Sequence, residues 1–152
     1  MGLNIQDLAI HSPDFNSHGR IGEEFSAGGG NVPPRLRISG IPTEAVDLAV
    51  ICHDPDAPLP HGFTHWVLYG LPVDARDLEV QEGSCGVAGP NGIGEKSYIG
   101  PEPPAGHGLH HYYFWVYALS RKVEGEPTRE EFLDKYAGHI IEQNRVIGTF
   151  ER

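Results

Sequence analysis

Several features that mark other protein classes are scarce or missing in this sequence. No apolar run approaches the length of about 20 residues that a membrane-spanning helix needs. The N-terminus, MGLNIQDLAIHSPDF, lacks a basic segment followed by an apolar one. The two cysteines, Cys52 and Cys85, fit no CxxC or zinc-finger spacing. We therefore expect no secretory leader, no integral membrane association, no disulfide, and a cytoplasmic location with reduced thiols.

Positive charge is also in short supply. The chain has 11 basic and 21 acidic residues, which gives a formal net charge of −10. Such a field disfavours nucleic acids and anionic membrane surfaces as general partners. It is compatible with one small anion held in a locally arranged pocket. The sequence leaves a homodimer open.

Helical periodicity is rare before residue 128, whereas turn-forming residues are abundant. The 20 glycines and 13 prolines predict many turns. Alternating or β-branched and aromatic stretches predict strands at Leu36–Ile38, Ala45–Cys52, His65–Leu71 and His111–Leu119. Strands joined by Gly- and Pro-rich loops predict a mainly β protein, an antiparallel or mixed β-sandwich, in a single domain spanning residues 1–152.

Helix signals gather near the C-terminus. Thr128 and Glu131 have the spacing of a capping box. An apolar face follows, made of Phe132, Leu133, Tyr136, Ala137, Ile140 and Ile141. Gly138 interrupts it, and since Gly costs about 1 kcal/mol relative to Ala inside a helix, two short helices are an alternative. The closing segment VIGTFE is typical of a last strand.

Six of the nine histidines fall in two segments, 53–65 and 107–111, each of which borders a proline-rich loop. They are His53, His61, His65, His107, His110 and His111. Each segment borders a predicted strand, so the two could meet at one end of the sandwich. Histidine N–H groups, backbone N–H groups of a glycine loop and a tyrosine hydroxyl can hold phosphate oxygens, while a carboxylate such as Asp54 orients a histidine. The coincidence of both segments favours an anion pocket, although any one histidine is more often structural.

Other chemistries stay open at this point. Asp54, Asp56, His65 and His110 would suit iron or zinc, but no HExxH pairing supports such a site locally. No GxSxG elbow supports a serine hydrolase. Asp54 and Asp56, on a proline corner, fit a turn as well as a ligand contact. We expect no cofactor, no metal and no enzymatic turnover, with a metal-assisted hydrolase as an alternative.

Motifs spread over residues 8 to 152 resemble one family. They are DPDAP (54–58) with HW (65–66), GPEPPAGHGLHHY (100–112) running into FWVYAL, NVPPRLRISGIP (31–42) and GHIIEQNRVIGTFER (138–152). Together they resemble the phosphatidylethanolamine-binding proteins, also called Raf kinase inhibitor-like proteins, and the last is similar to the bacterial and archaeal branch.

This resemblance implies a large central antiparallel sheet, a smaller flanking sheet and short C-terminal helices. It also implies a pocket for phosphate, phosphorylethanolamine or a similar head group. Carried over by motif, the pocket residues are Asp54, Asp56, His65, Gly100, Pro103, Pro104, His110 and Tyr112. The Ala57–Pro58 bond is a candidate cis peptide. Glu102 and His111 depart from the family pattern. A second hypothesis is an interaction protein that modulates a kinase or protease, with the pocket as a switch.

Overall fold

Two antiparallel β-sheets form the body of the protein in this computed structural model, which describes residues 6–152. In chain order the strands are β1 (Ala9–His11), β2 (Leu36–Ser39), β3 (Asp47–Asp54), β4 (Phe63–Tyr69), β5 (Leu78–Val80), β6 (Val87–Ala88), β7 (His110–Leu119) and β8 (Ile140–Phe150). One α-helix, α1 (Arg129–Tyr136), and two 3-10 turns, Glu23–Phe25 and Ala137–His139, complete the described elements. Residues 1–5, part of the segment searched for a leader, lie outside this range.

The larger sheet has five strands in the order β6-β4-β3-β7-β8, and the smaller has three in the order β1-β2-β5. The predicted mainly β fold, with a large and a small antiparallel sheet, is confirmed. Four predicted strands exist as β2, β3, β4 and β7. However, β3 and β4 each include residues that the sequence assigned to the loop between them, because His53 and Asp54 pair with Thr64 and Phe63.

The main core lies between the two sheets and follows from strand alternation. Every second residue of β3 and β7 points toward the small sheet, and these side chains are Leu48, Val50, Cys52, Tyr112, Phe114 and Val116. The intervening residues of β3, such as Ala49 and Ile51, pack under Phe132 and Tyr136 of α1. β3 is therefore buried along its whole length. This burial gives the end of β3 a rigid base.

The C-terminal region confirms the helix start and corrects its end. The Thr128 hydroxyl accepts the Glu131 N–H (3.2 Å), and the Glu131 carboxylate accepts the Thr128 N–H (2.9 Å). The α-helix stops at Tyr136, and only a 3-10 turn follows it. The prediction that Ile140 and Ile141 continue a helical face was wrong. From Ile140 onward the backbone pairs with β7 over its full length, so that sheet pairing overrides the local periodicity.

Within residues 6–152, no helix is long and apolar enough to cross a membrane.

Candidate functional site

His65 is an extra residue in the ladder between β3 and β4. Cys52 pairs with Trp66, and the next pair is His53 with Thr64, so no residue of β3 stands opposite His65. Such a β-bulge interrupts the alternation of side chains and re-aims one of them. His65 therefore faces the same side of the sheet as the core residue Trp66, where it meets Tyr112 edge to face with ring centroids 5.1 Å apart.

Asp54, at the end of β3, performs two tasks with its two oxygens. Oδ1 accepts the Asp56 N–H (2.7 Å), which makes an Asx turn at the start of the loop. Oδ2 lies 2.6 Å from His110 Nδ1, on the neighbouring strand β7. Both side chains are only 3% exposed. The turn role expected near this corner thus belongs to Asp54, and Asp54 also orients a histidine as predicted.

The loop after Asp54 turns back without a cis peptide. Residues 6–152 contain no cis peptide bond, so the prediction for Ala57–Pro58 was wrong. The Leu59 N–H instead donates to the Ala57 carbonyl (2.7 Å), which closes a three-residue turn around a trans proline. Gly62, with a φ of +69°, completes the reversal in a conformation that favours glycine.

The proton position on His65 follows from its partner. Nδ1 lies 2.7 Å from the Ile99 carbonyl, which can only accept, so Nδ1 carries the hydrogen. Burial lowers the pKa of His65, and the ring is therefore neutral near pH 7. In the neutral ring Nε2 is a lone-pair acceptor. It is the only ring nitrogen of His65 left for a ligand.

Gly100 is needed for chain packing rather than for an approach to a ligand. A Cβ at this position would collide with the Phe25 carbonyl and the backbone that follows it. Its N–H donates to Asn31 Oδ1 (2.8 Å), and so this predicted anion donor already has a partner. The Tyr112 hydroxyl, in contrast, has no hydrogen-bond partner within residues 6–152. Burial and the Asp54 charge raise the pKa of Tyr112, which keeps this hydroxyl a donor.

These side chains surround one cavity of about 350 Å³. Seven of the eight predicted pocket residues line it: Asp54, His65, Gly100, Pro103, Pro104, His110 and Tyr112. The remaining lining is mostly apolar and includes Ala57, Pro58, Leu59, Phe63 and Ile99. Asp56 does not line the cavity. Its Oδ2 instead accepts the His111 N–H and lies 2.8 Å from His111 Nδ1, at the surface.

A charge network holds the mouth of the cavity. Glu102 lines the opening and forms a two-pronged ion pair with Arg152, at 2.8 and 3.0 Å. Arg152 also donates to Glu23 (2.8 Å), and the Gly28 N–H donates to Glu102 Oε1 (2.7 Å). The hydrogen bonds from Arg152 lower the pKa of Glu102, so this carboxylate stays ionised. The positive charge of Arg152 thereby offsets the negative charge of Glu102.

No metal centre is formed by the described part of the chain. Within residues 6–152 no group of three or more His, Cys, Asp or Glu side chains is placed to hold a metal ion. The one carboxylate–histidine pair in the cavity, Asp54–His110, is closed by a direct hydrogen bond. The metal-assisted alternative therefore gains no support from this arrangement.

Comparison with known proteins decides the family. The family model described as "Phosphatidylethanolamine-binding protein" matches residues 11–151. The chain belongs to this family. It is 38% identical to a UPF0098 protein of Methanothermobacter thermautotrophicus, with 96% of this chain and 99% of that protein covered. It is 36% identical to a putative lipoprotein of Mycobacterium tuberculosis, with 96% and 73% covered.

A solved structure agrees with this assignment. The crystal structure of a putative phosphatidylethanolamine-binding protein homolog from Chlamydia trachomatis superposes with a TM-score of 0.86. The two chains are 32% identical, and 98% of this chain and 99% of that one are covered. Membership of the family indicates a ligand-binding protein. Neither the family description nor the UPF0098 name states an enzymatic activity.

Sequence reasoning did not assign three residues to this site. Asn31 takes the Gly100 N–H, Arg152 pairs with Glu102, and His107 Nδ1 lies 2.6 Å from His110 Nε2. The His-x-x-His spacing of residues 107 and 110 was a visible signal for the last contact. Asn31 lies 69 residues from its partner Gly100, and Arg152 lies 50 residues from Glu102. No local sequence pattern predicts either contact.

Proposed function

We propose that this protein binds a small phosphorylated ligand, such as inorganic phosphate, phosphorylethanolamine or a phospholipid head group, and does not turn it over. The observation that carries the proposal is the Asp54–His110 pair. Both side chains are almost fully buried, yet they lie at the base of an open cavity. Burying a carboxylate and a histidine together is costly, so the place of this pair beside an accessible cavity favours a ligand-binding role over a purely structural one.

The hydrogen-bonding groups of the cavity match a phosphate that carries a proton. The Tyr112 hydroxyl donates, and His110 donates through Nε2 when its ring is protonated, with the Asp54 carboxylate balancing the positive charge. Neutral His65 offers Nε2 as an acceptor. A monoanionic phosphate has oxygens for the two donors and an O–H for His65. The site thus suits a partly protonated anion better than a bare dianion.

The apolar side of the cavity fits the remainder of a phospholipid or phosphate ester. Pro58, Leu59 and Pro104 form part of this side, and Leu59 is 54% exposed. An alkyl or glycerol group beside the phosphate would cover this surface and gain free energy from its burial. The cytoplasmic location belongs to the same proposal, and the putative lipoprotein among the relatives makes fractionation of the native protein a necessary check.

Calorimetric titration with inorganic phosphate and phosphorylethanolamine tests the proposal. Between about pH 8 and about pH 6 binding should tighten and take up protons, because both histidine and the phosphate ligand gain a proton in this range. Buffers of different ionisation enthalpy report the uptake directly. His110→Ala should flatten this pH dependence, whereas Lys122→Ala, which removes an exposed charge after β7, should not. A pH-independent affinity without proton uptake, unchanged in His110→Ala, would show that the histidines are structural.

A further inference from the structure

His107 contacts the ring nitrogen of His110 that Asp54 leaves free. His107 Nδ1 lies 2.6 Å from His110 Nε2, and the ring centroids are 4.9 Å apart. His110 is 2% exposed, whereas His107 is exposed and does not line the cavity. The nitrogen of His110 that an anion would need is therefore already bonded to a residue from the protein's own loop.

The contact between His110 and Asp54 determines which ring nitrogens of the His107–His110 pair carry hydrogen. An ionised Asp54 carboxylate can only accept, so His110 Nδ1 carries a hydrogen. In a neutral His110 ring Nε2 is then a lone pair, and His107 must donate to it. If His110 takes a second proton, its Nε2–H donates. His107 then accepts through Nδ1, in the tautomer that carries its hydrogen on Nε2. His107 thus satisfies Nε2 in either of these states.

One protonation state breaks the contact. When both rings are imidazolium ions, an N–H group faces another N–H group, and no hydrogen bond between them can form. The two positive charges then repel each other. An anion placed between the rings would accept from both. Double protonation therefore frees His110 Nε2 and leaves both rings as donors.

Building on the proposed function, we propose that His107 is a proton-controlled cover over the anion site, which competes with the ligand for His110 Nε2 near neutral pH and releases it at lower pH. The cover is a contact that the ligand must displace. It makes anion binding weaker at neutral pH than the cavity alone would allow.

His107 stands on an exposed loop between two glycines, where its side chain has room to rotate. Gly106 and Gly108 flank it with φ values of +76° and +95°, and a Cβ at either would meet nothing. Two backbone hydrogen bonds hold the loop, from the His107 N–H to the Pro104 carbonyl and from the Gly106 N–H to the Arg152 carbonyl, both 3.1 Å. The His107 ring can leave His110 by side-chain rotation alone, without breaking either bond.

Other ionisable groups near His110 could contribute to a pH effect. Those around it from the neighbouring elements are Asp54 and Asp56 from β3 and its loop, His65 from β4, Glu102 at the mouth, and His107 and Tyr112 on its own segment. Only His107 among them bonds to Nε2. A substitution at His107 consequently separates the cover from the general charge of the pocket.

Calorimetric titration of inorganic phosphate, with EDTA present so that no trace metal bridges the rings, tests this role. His107→Ala should bind phosphate about three- to tenfold more tightly than the unaltered protein at about pH 7.5, the equivalent of one net hydrogen bond. At about pH 5.5 the gain should shrink or reverse, because molecules in which both rings are protonated have already lost the contact. His107→Asn, whose amide can still pair with Nε2, should stay near the unaltered affinity. His11→Ala, on β1 and exposed, removes a histidine remote from the cavity as the matched control.

Each outcome of this titration decides the matter. Weaker binding of His107→Ala at both pH values would make His107 an ordinary ligand contact, and equal binding at both would give it no role. Binding that is tighter by the same factor at both would show that the contact does not depend on protons. Each of these results overturns the cover. If neither the unaltered protein nor His107→Ala binds phosphate, the proposed function itself fails and the cover fails with it. Tighter binding of His107→Ala that is confined to the higher pH supports the cover.

Discussion

Arg152 holds Glu102 through two parallel hydrogen bonds, from Nε to Oε2 at 2.8 Å and from Nη2 to Oε1 at 3.0 Å. This pair sits at the mouth of the proposed phosphate site, and a free carboxylate there would repel an anion. Removing the guanidinium should therefore expose the Glu102 charge to the ligand. The effect should be modest, because Glu102 is 45% exposed and water and salt screen it.

Arg152→Gln should weaken phosphate binding by about two- to fivefold at low salt, the size expected for a surface charge. The double variant with Glu102→Gln should regain the lost affinity, since position 102 then carries no charge that could repel the ligand. Arg35→Gln, which breaks a similar two-pronged pair with Asp14 elsewhere on the surface, is the control. Isothermal titration in low and high salt measures all four proteins. An equal loss in the double variant would contradict the electrostatic explanation.

Asp54→Asn should abolish most phosphate binding while preserving the loop. The Asn Oδ1 can still accept the Asp56 N–H, so the turn survives. The charge that stabilises a protonated His110 is lost, and we expect affinity to fall by at least about tenfold, consistent with a charged hydrogen bond. Asp56→Asn should change affinity less than about twofold by the same measure, because Asp56 lies outside the cavity lining. Comparable losses of phosphate affinity in both variants would show that Asp56 also contributes to ligand binding.

Phosphate should bind more tightly than sulfate near pH 7. We expect a difference of about tenfold, the size of one buried hydrogen bond between the ligand and His65. Neutral His65 offers an acceptor, which a phosphate O–H satisfies and a sulfate oxygen repels. The difference should shrink in His65→Ala, where no acceptor remains. Competition titrations with the two anions measure the ratio. Sulfate binding as tightly as phosphate would mean that His65 does not contact the ligand through Nε2.

Acid should destabilise the fold through His53. Burial lowers the pKa of His53 to about 4, from an ordinary value near 6.5. The unfolded chain therefore binds the proton first, and the unfolding free energy falls as pH drops from about 6.5 toward about 4. The melting temperature should decrease by a few degrees over this window, and His53→Gln should reduce the decrease. Buried His65 acts in the same direction, so part of the slope should remain.

Only one thiol should react in the folded protein. Cys85 is exposed, whereas Cys52 is 2% exposed in β3, and burial together with the nearby Asp54 charge raises the pKa of its thiol. A thiol reagent should modify one group in the native state and two after denaturation without reductant. Two rapid modifications in the native protein would show that β3 opens readily.

Local rules in the sequence were sufficient for part of the fold. The capping box at Thr128 and Glu131 involves residues three apart, and strand alternation in β7 spans ten residues. Both are governed by short-range geometry, which a sequence displays directly. The same rules failed at Ile140, whose periodicity fits a helix, because pairing with Leu119 on β7 lies outside any local window.

Motifs in the sequence predicted seven residues that line the cavity, but not what each of them does. Residue types and their order show that Asp54, His65 and His110 can serve one pocket. Only the tertiary structure decides that a bulge turns His65 inward, that Asn31 occupies the Gly100 N–H, and that His107 covers His110. The physical reason is that a hydrogen bond is set by distance and direction within a few tenths of an ångström. Such geometry exists only after strands and loops that are distant in the chain have packed against each other.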